Sequence, residues 1–267
     1  MRQFYLTTFA ALAALAIGTP ITTGAQAPED QDSTLRLSVG DARVSGSHIR
    51  PFEVTWLATP YTSDGVAGRS NRVREKVELV EQDAGSLLRF TQVWYDTVDA
   101  VVFTTVRVAD RATMAYRAFH TGGAPGGFGH LDFDGAQVSG VYVSTPEGPS
   151  QYFSLVFDDP VFASLSGLLF SAFPLEPGFE ATFPGFGWGG TTNPAQVSQT
   201  IKVVGREGVS IPGAPEFDAY RTVTSRGPGS ELIFWISREA PYFVRAEARS
   251  SSGSYRVFEV EEWKPLE

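Results

Sequence analysis

The chain has no cysteine among its 267 residues. Disulfides, thiolate metal sites and cysteine nucleophiles are excluded together. So is a lipid-anchored N-terminus of the bacterial lipoprotein kind, which needs a cysteine at the cut. Positive charge is scarce: 21 Lys and Arg stand against 30 Asp and Glu, a formal net charge of −9. Without a basic stripe, this balance argues against nucleic acid and against anionic membrane surfaces. Long apolar runs are also missing. The run from Phe9 to Ile17 is too short for a bilayer, which needs about 20 residues, so no transmembrane segment is expected. There is no G-x-S-x-G elbow, no G-x-x-x-x-G-K-[ST] phosphate loop and no Rossmann fingerprint. No cofactor is implied.

What is present begins with residues 1–27, which read as a secretory signal peptide. Met1-Arg2 is followed by the apolar run, the breakers Gly18 and Pro20, and the small-residue exit Thr23-Gly24-Ala25-Gln26-Ala27. A charged start, a short apolar core and an A-x-A-like exit are the signature of export. Cleavage is expected near Ala25 or Ala27, with Ala25 favoured because Pro28 would follow the later cut. The mature protein is then expected in the periplasm or outside the cell. Residues 28–33 form a polar lead-in, and 34–267 are expected to be a single domain.

Within that domain the dominant signal has period two. Val73, Glu75, Val77, Leu79 and Glu81 alternate with Arg72, Arg74, Lys76, Glu78 and Val80, giving one mostly apolar and one mostly charged face. Val197, Gln199, Ile201 and Val203 show the same alternation. So do Tyr242, Val244, Ala246 and Ala248, opposed by Arg245, Glu247 and Arg249. Turn chemistry separates such runs at Asp83–Gly85, Asp96–Asp99, Arg226–Ser230 and Ser250–Gly253. About eleven to thirteen strands are expected. Parallel pairing would need helical crossovers, so the sheet should be antiparallel.

Three segments depart from this pattern. Asp158-Asp159-Pro160, apolar residues at helical spacing from Val161 to Phe173, and the stop Pro174 describe one helix packed on the sheet. The runs Leu87–Tyr95 and Leu232–Ile236 are apolar on both faces. Either protein covers both faces, or one faces a cavity. The stretch Phe179–Gly190 sets Phe179, Phe183, Phe186 and Trp188 among glycines and prolines. It reads either as an exposed lid or partner contact, or as rings tucked under the sheet edge.

The C-terminal third carries an ordered set of motifs. Val203-Val204-Gly205-Arg206-Glu207 precedes Ile211-Pro212. Next come Phe217-Asp218-Ala219-Tyr220-Arg221-Thr222-Val223, Trp235-Ile236-Ser237 and Pro241-Tyr242-Phe243-Val244-Arg245. Upstream lie Leu131–Gly135, Val138-Ser139-Gly140 and Phe173-Pro174-Leu175-Glu176-Pro177-Gly178. This order resembles the exported bacterial DUF3108 proteins over roughly residues 90–263. The resemblance implies a fold similar to the open antiparallel half-barrels of periplasmic lipoprotein carriers, with a helix across the concave face. It implies no activity, and no functional residue is carried over.

Candidate chemical constellations are sparse. His120 and His130 flank a glycine-rich loop. They could face each other across a hairpin and ligate a metal with Asp132 or Asp134, or simply flank the loop; no metal is assigned. Asp132-Phe133-Asp134-Gly135 resembles the start of a calcium loop, but Val143 stands where the twelfth-position Glu belongs. A strand entering an Asp-Gly turn is the plainer reading. Glu259, Glu261 and Glu262 read as a solvated edge rather than a glycosidase pair. His48 is tied by no spacing to a nucleophile.

The expectation is therefore a mainly β protein, an antiparallel open or half-closed, clam-like barrel with one helix on the sheet. It should be a non-enzymatic binder or carrier of an apolar ligand, a lipid or acyl chain, in the cell envelope. Trp94, Leu168, Phe186, Trp188 and Trp235 are the candidate lining residues, since each buried CH₂ of a chain contributes about 0.8 kcal/mol. The alternatives are an envelope scaffold with a protein partner and, behind it, a secreted hydrolase with dispersed residues.

Overall fold

A computed structural model describes residues 34–267 except 84, 124–126, 144, 146–147, 188–193 and 228–229, with the side chains of 226 and 227 also left aside. The expected signal peptide, lead-in and Trp188 lie outside the described residues.

Alternating apolar positions generate two consecutive meanders. The first runs through β2 (Phe52–Tyr61), β3 (Asn71–Gln82), β4 (Gly85–Tyr95), β5 (Val101–Asp110), β6 (Tyr116–Gly122), β7 (Phe128–Asp134), β8 (Gln137–Val143) and β9 (Ser150–Val156). The second runs through β10 (Glu180–Gly187), β11 (Ala195–Val209), β12 (Phe217–Gly227), β13 (Ser230–Ile236), β14 (Phe243–Arg249) and β15 (Tyr255–Pro265). The last strand, β15, pairs antiparallel with β2 and fuses the meanders into one sheet. A two-residue strand, β1 (Leu35–Arg36), adds to β10 in parallel, and Phe162 makes an isolated parallel bridge to Gly185; both depart from the antiparallel expectation. The sheet does not close: β1 and β9 are its two ends.

The sheet curls so that distant strands meet across its concave side. Trp94 of β4 meets Phe258 of β15 edge-on at 5.9 Å. Phe186 of β10 packs against Tyr116 of β6 and Phe133 of β7 at 5.7 and 5.3 Å. Such aromatic pairs contribute dispersion and quadrupole attraction beyond their buried area.

The segment between β9 and β10 crosses the concave side, but not as the expected helix from Asp158 to Phe173. Only α1 (Leu168–Ser171) is helical. Upstream of it, Val161–Ala163 is extended and stitches the two halves together. Tyr116 N donates to Val161 O at 3.1 Å, Ala163 N to Met114 O at 2.9 Å and Phe162 N to Pro184 O at 3.1 Å. The physical reason is competition for backbone hydrogen bonds. Burial requires every amide to find a partner, and the neighbouring strands offer partners to an extended chain. Ser166, at φ +53°, then turns the chain before α1.

Two contacts hold this crossing segment. A side chain at Gly167 would place its Cβ 2.7 Å from Phe243 Cβ, so only glycine permits the close approach of α1 to β14. Arg238 donates to the carbonyls of Ser171, Phe173 and Leu175 at 3.3, 3.2 and 3.0 Å. Its guanidinium also lies over Tyr220, 5.7 Å from the ring centre.

Candidate ligand site on the concave face

Strand register decides which side chains share the concave face. Opposed residues form three rows there. One is Trp56, Val73, Trp94 and Phe103. The next is Val54, Glu75, Gln92, Thr105 and Thr121. The third is Phe52, Val77, Phe90, Arg107, Phe119 and Leu131. The outer rows are apolar apart from Arg107, whereas the middle row is largely polar.

Hydrogen bonds join Glu75 and Gln92 of the polar row to each other and to Trp56 and Trp94 of the row beside it. Trp56 Nε1 donates to Glu75 Oε2 at 2.9 Å, and Gln92 Nε2 to Glu75 Oε1 at 2.6 Å. Trp94 Nε1 donates to Gln92 Oε1 at 3.0 Å. Glu75 is 3 % exposed. Burial pushes its carboxyl up to about 7, opposed by its two hydrogen bonds and by the charge of Arg107. Desolvation outweighs those favourable terms because a carboxylate loses its hydration on entering the interior.

Other polar groups on this face lack partners. Thr105 Oγ1, Thr121 Oγ1, Arg107 Nε and Arg107 Nη1 are buried without a hydrogen-bond partner. The Arg107 guanidinium lies 5.6 Å from the Phe90 ring centre and 6.0 Å from that of Phe119. Nearby, the Tyr116 hydroxyl contacts Ser164 Oγ at 3.0 Å. Arg256 faces the same interior, 5.9 Å over Trp94, with its Nε unpartnered. Burial pulls its pKa down.

The candidate lining residues do not converge as expected. Trp94 faces the interior, Leu168 is buried in the crossing segment, and Phe186 is buried against β6 and β7. Phe179, Phe183 and Phe186 flank or occupy strand β10 and are buried, so these rings tuck inward rather than form a loop. Trp235 points the other way. It is opposed to Arg221 and Arg245, whose guanidinium groups lie 5.7 and 4.8 Å from its ring centre, and its N–H donates to Glu207. Arginine stems and heads cover it. That explains the apolar outer face of β13 without a cavity. On β4, Leu88, Phe90, Gln92 and Trp94 are buried while Leu87 and Val93 are half-exposed, an ordinary alternation.

Glu75, Gln92 and Arg107 were not among the candidates. A signal existed for each: a polar residue at an inward position between apolar ones, as Glu75 between Val73 and Val77. Sequence alone does not say which of these neighbours across the sheet it will find.

On the convex face, His120 and His130 are directly opposed. Their Nδ1 atoms lie 2.8 Å apart, and His130 Nε2 lies 2.8 Å from Asp132 Oδ2. One nitrogen of the Nδ1 pair donates and the other accepts, so the two rings are not both charged in this arrangement. Among the described residues no group of three or more His, Asp or Glu is placed to hold a metal. Gly135, at φ +61°, makes the turn after Asp134 that joins β7 to β8. His48 stacks edge-on against Tyr242 at 5.6 Å, and burial pulls its pKa down. A separate cleft of about 1100 Å³ is lined by residues including Arg50, Lys76, Leu79, Tyr242 and Trp263, and contains none of the interior polar row.

The family described as "Protein of unknown function (DUF3108)" matches residues 52–260, from β2 into β15. The chain belongs to the DUF3108 family. The match to this DUF3108 protein spans both meanders, up to Val260 of β15, and the crossing segment between them; β1 lies outside it.

Among solved structures, it is similar to a β-barrel-like protein of the DUF1849 domain of unknown function from Brucella abortus. That match has 11 % identity and a TM-score of 0.51, covering 82 % of this chain and 100 % of the other. At this identity the likeness shows the fold alone. A "putative exported protein with YmcC-like fold" from Bacteroides fragilis matches at 16 % identity and TM-score 0.37, covering 80 % and 97 %. A "putative lipoprotein" from Parabacteroides distasonis matches at 10 % identity and TM-score 0.33, covering 84 % and 100 %. No curated protein matches the chain. No helix among the described residues is long and apolar enough to cross a membrane.

Proposed function

We propose that this DUF3108 protein is exported and binds an apolar ligand, a lipid or acyl chain, inside its curled sheet, without catalysing a reaction. One observation carries the reading. Phe103, Tyr142 and Phe258 face the concave side by register, yet each remains only half-buried. Apolar surface left accessible on an inner face is surface a ligand can cover, with about 25 cal/mol gained per Å² removed from water. Access is favoured by the architecture. The curled halves are stitched through Val161–Ala163 rather than by a continuous ladder between β1 and β9. A chain could enter there without any strand being unpaired from its neighbour in the meanders.

The test is purification from a bacterial periplasm without detergent, followed by native mass spectrometry and organic extraction. A stoichiometric apolar molecule in the extract supports the reading. A ligand-free mass, with no gain in thermal stability on adding fatty acids, removes it.

The second reading, an envelope scaffold, now draws on a different feature from the aromatic stretch. The edge strand β9 exposes Tyr152 and Val156, at 82 % and 76 %. An open edge of this kind can accept a strand from another protein.

A further inference from the structure

We propose that the concave face binds the carboxylate head of a single-chain amphiphile, with Arg107 as its counter-ion and Thr105 and Thr121 as additional donors. This rests on the reading that the interior takes an apolar ligand, and names that ligand's polar end.

The first argument is how the protein places its arginines. On the exposed surface, Arg36, Arg43, Arg72, Arg74, Arg89, Arg117, Arg206 and Arg249 each pair with a carboxylate. On the concave face Arg107 and Arg256 contact aromatic rings, and each retains buried N–H groups without a partner. Arg221 and Arg245 on the convex face also leave an Nε unpartnered, but both are stacked on Trp235; on the concave face the unpartnered Arg107 lies beside two unpartnered hydroxyls, those of Thr105 and Thr121. An unpartnered buried guanidinium N–H is costly, and an arriving anion relieves that cost.

The nearby carboxyl does not do so. Glu75 accepts from Trp56 and from Gln92, while Arg107 Nε and Nη1 remain unpartnered. The Arg107 charge favours the ionised form of Glu75, with no ion pair between the two among the described residues.

The donors are adjacent. Thr105 and Thr121 are directly opposed, and Arg107 lies one inward position along β5 from Thr105. Arg107 Nε, Arg107 Nη1 and the two hydroxyls make four orphaned groups, and a carboxylate accepts about four hydrogen bonds. Phe103, in the neighbouring row, and Phe258, in contact with Trp94, supply half-buried apolar surface for the tail.

The experiment compares three sixteen-carbon probes on the delipidated exported protein: palmitate, 1-hexadecanol and hexadecyl phosphate. Affinities come from equilibrium titration, with stoichiometry by native mass spectrometry. Palmitate should bind about ten- to a hundredfold tighter than 1-hexadecanol, the contribution of charge-assisted hydrogen bonds. Arg107→Gln should abolish that preference and leave 1-hexadecanol within about threefold, since only the head contact is lost. Should Arg107→Gln fail to fold, the double variant Thr105→Val, Thr121→Val serves instead, and should reduce the preference for palmitate.

Equal binding of palmitate and 1-hexadecanol overturns the carboxylate assignment and leaves the apolar reading standing. So does a palmitate preference undiminished in the variants. Tighter binding of hexadecyl phosphate replaces the carboxylate with a phosphate head. Failure to bind any of the three removes both readings.

Discussion

The indole N–H of Trp56 donates to a carboxylate oxygen of Glu75 at 2.9 Å, and both residues are almost wholly buried. This pair places a titrating group in the polar row of the concave face, between Val54 of β2 and Gln92 of β4. Among the described residues, Arg107 is a charged group whose field reaches it.

The Glu75 carboxyl is raised from 4.5 to about 7 by burial. Between those values the folded protein holds a proton that the unfolded chain has released. Stability should therefore be complete below the lower value, fall as pH rises through this window, and be flat above it. Glu75→Gln lacks this titration. The stability difference between variant and wild type should move in the variant's favour by up to about 1.4 kcal/mol per pH unit across the window. Urea midpoints at pH 5, 6, 7 and 8 measure it. A difference that does not change with pH would contradict the raised carboxyl.

Arg238 holds the crossing segment through three carbonyls, those of Ser171, Phe173 and Leu175. Arg238→Ala leaves these acceptors without that partner. It should cost about 2–4 kcal/mol, given about 1.5–3 kcal/mol for a hydrogen bond to a charged group. Arg238→Lys should recover only part, because an ammonium lacks the planar fork. Chemical denaturation reads both. Equal stability of Arg238→Ala and wild type would mean the segment is held by its apolar packing alone.

Gly167→Ala brings a methyl group against Phe243 and Phe234, where the nearest contacts are 2.7 and 3.0 Å. Overpacking of this kind costs about 1–3 kcal/mol. Hydrogen exchange should localise the loosening to Leu168–Ser171 and β14 before the rest of the sheet. A variant as stable as wild type would show that α1 can lift away without penalty.

Trp94 and Trp235 provide an internal contrast, since they lie on opposite faces. Truncating either to Ala should cost about 3–5 kcal/mol of stability. Only Trp94→Ala should weaken uptake of an apolar probe. Trp235→Ala should leave that affinity within about twofold, measured under conditions where both variants are folded. The opposite pattern would place the ligand on the convex side.

Much of the strand content was legible from local pattern. The alternation from Val73 to Leu79 correctly placed Val73, Glu75, Val77 and Leu79 on one face. The Asp96–Asp99 turn appears with Asp96 Oδ1 accepting from the amides of Val98 and Ala100. The crossing segment was misread because helical spacing of apolar residues cannot reveal an extended partner elsewhere. Val161–Ala163 follows the strands beside it. The candidate site was legible only in part. Trp94 and Phe186 turn inward, whereas Trp235 is covered by Arg221 and Arg245 from the adjacent strands.

The sequence by itself determined a disulfide-free, acidic, mainly β chain, because composition and period two act residue by residue along the backbone. It also determined which side chains share a strand face, since successive residues on a strand point to opposite sides. Tertiary structure alone decided that β15 closes onto β2, and that the crossing segment ties β6 to β10. It likewise decided which faces become the interior, where Arg107 and Glu75 are brought together. Those outcomes depend on pairing between segments far apart in the chain and on the curl of the completed sheet, and neither is written in any local run of residues.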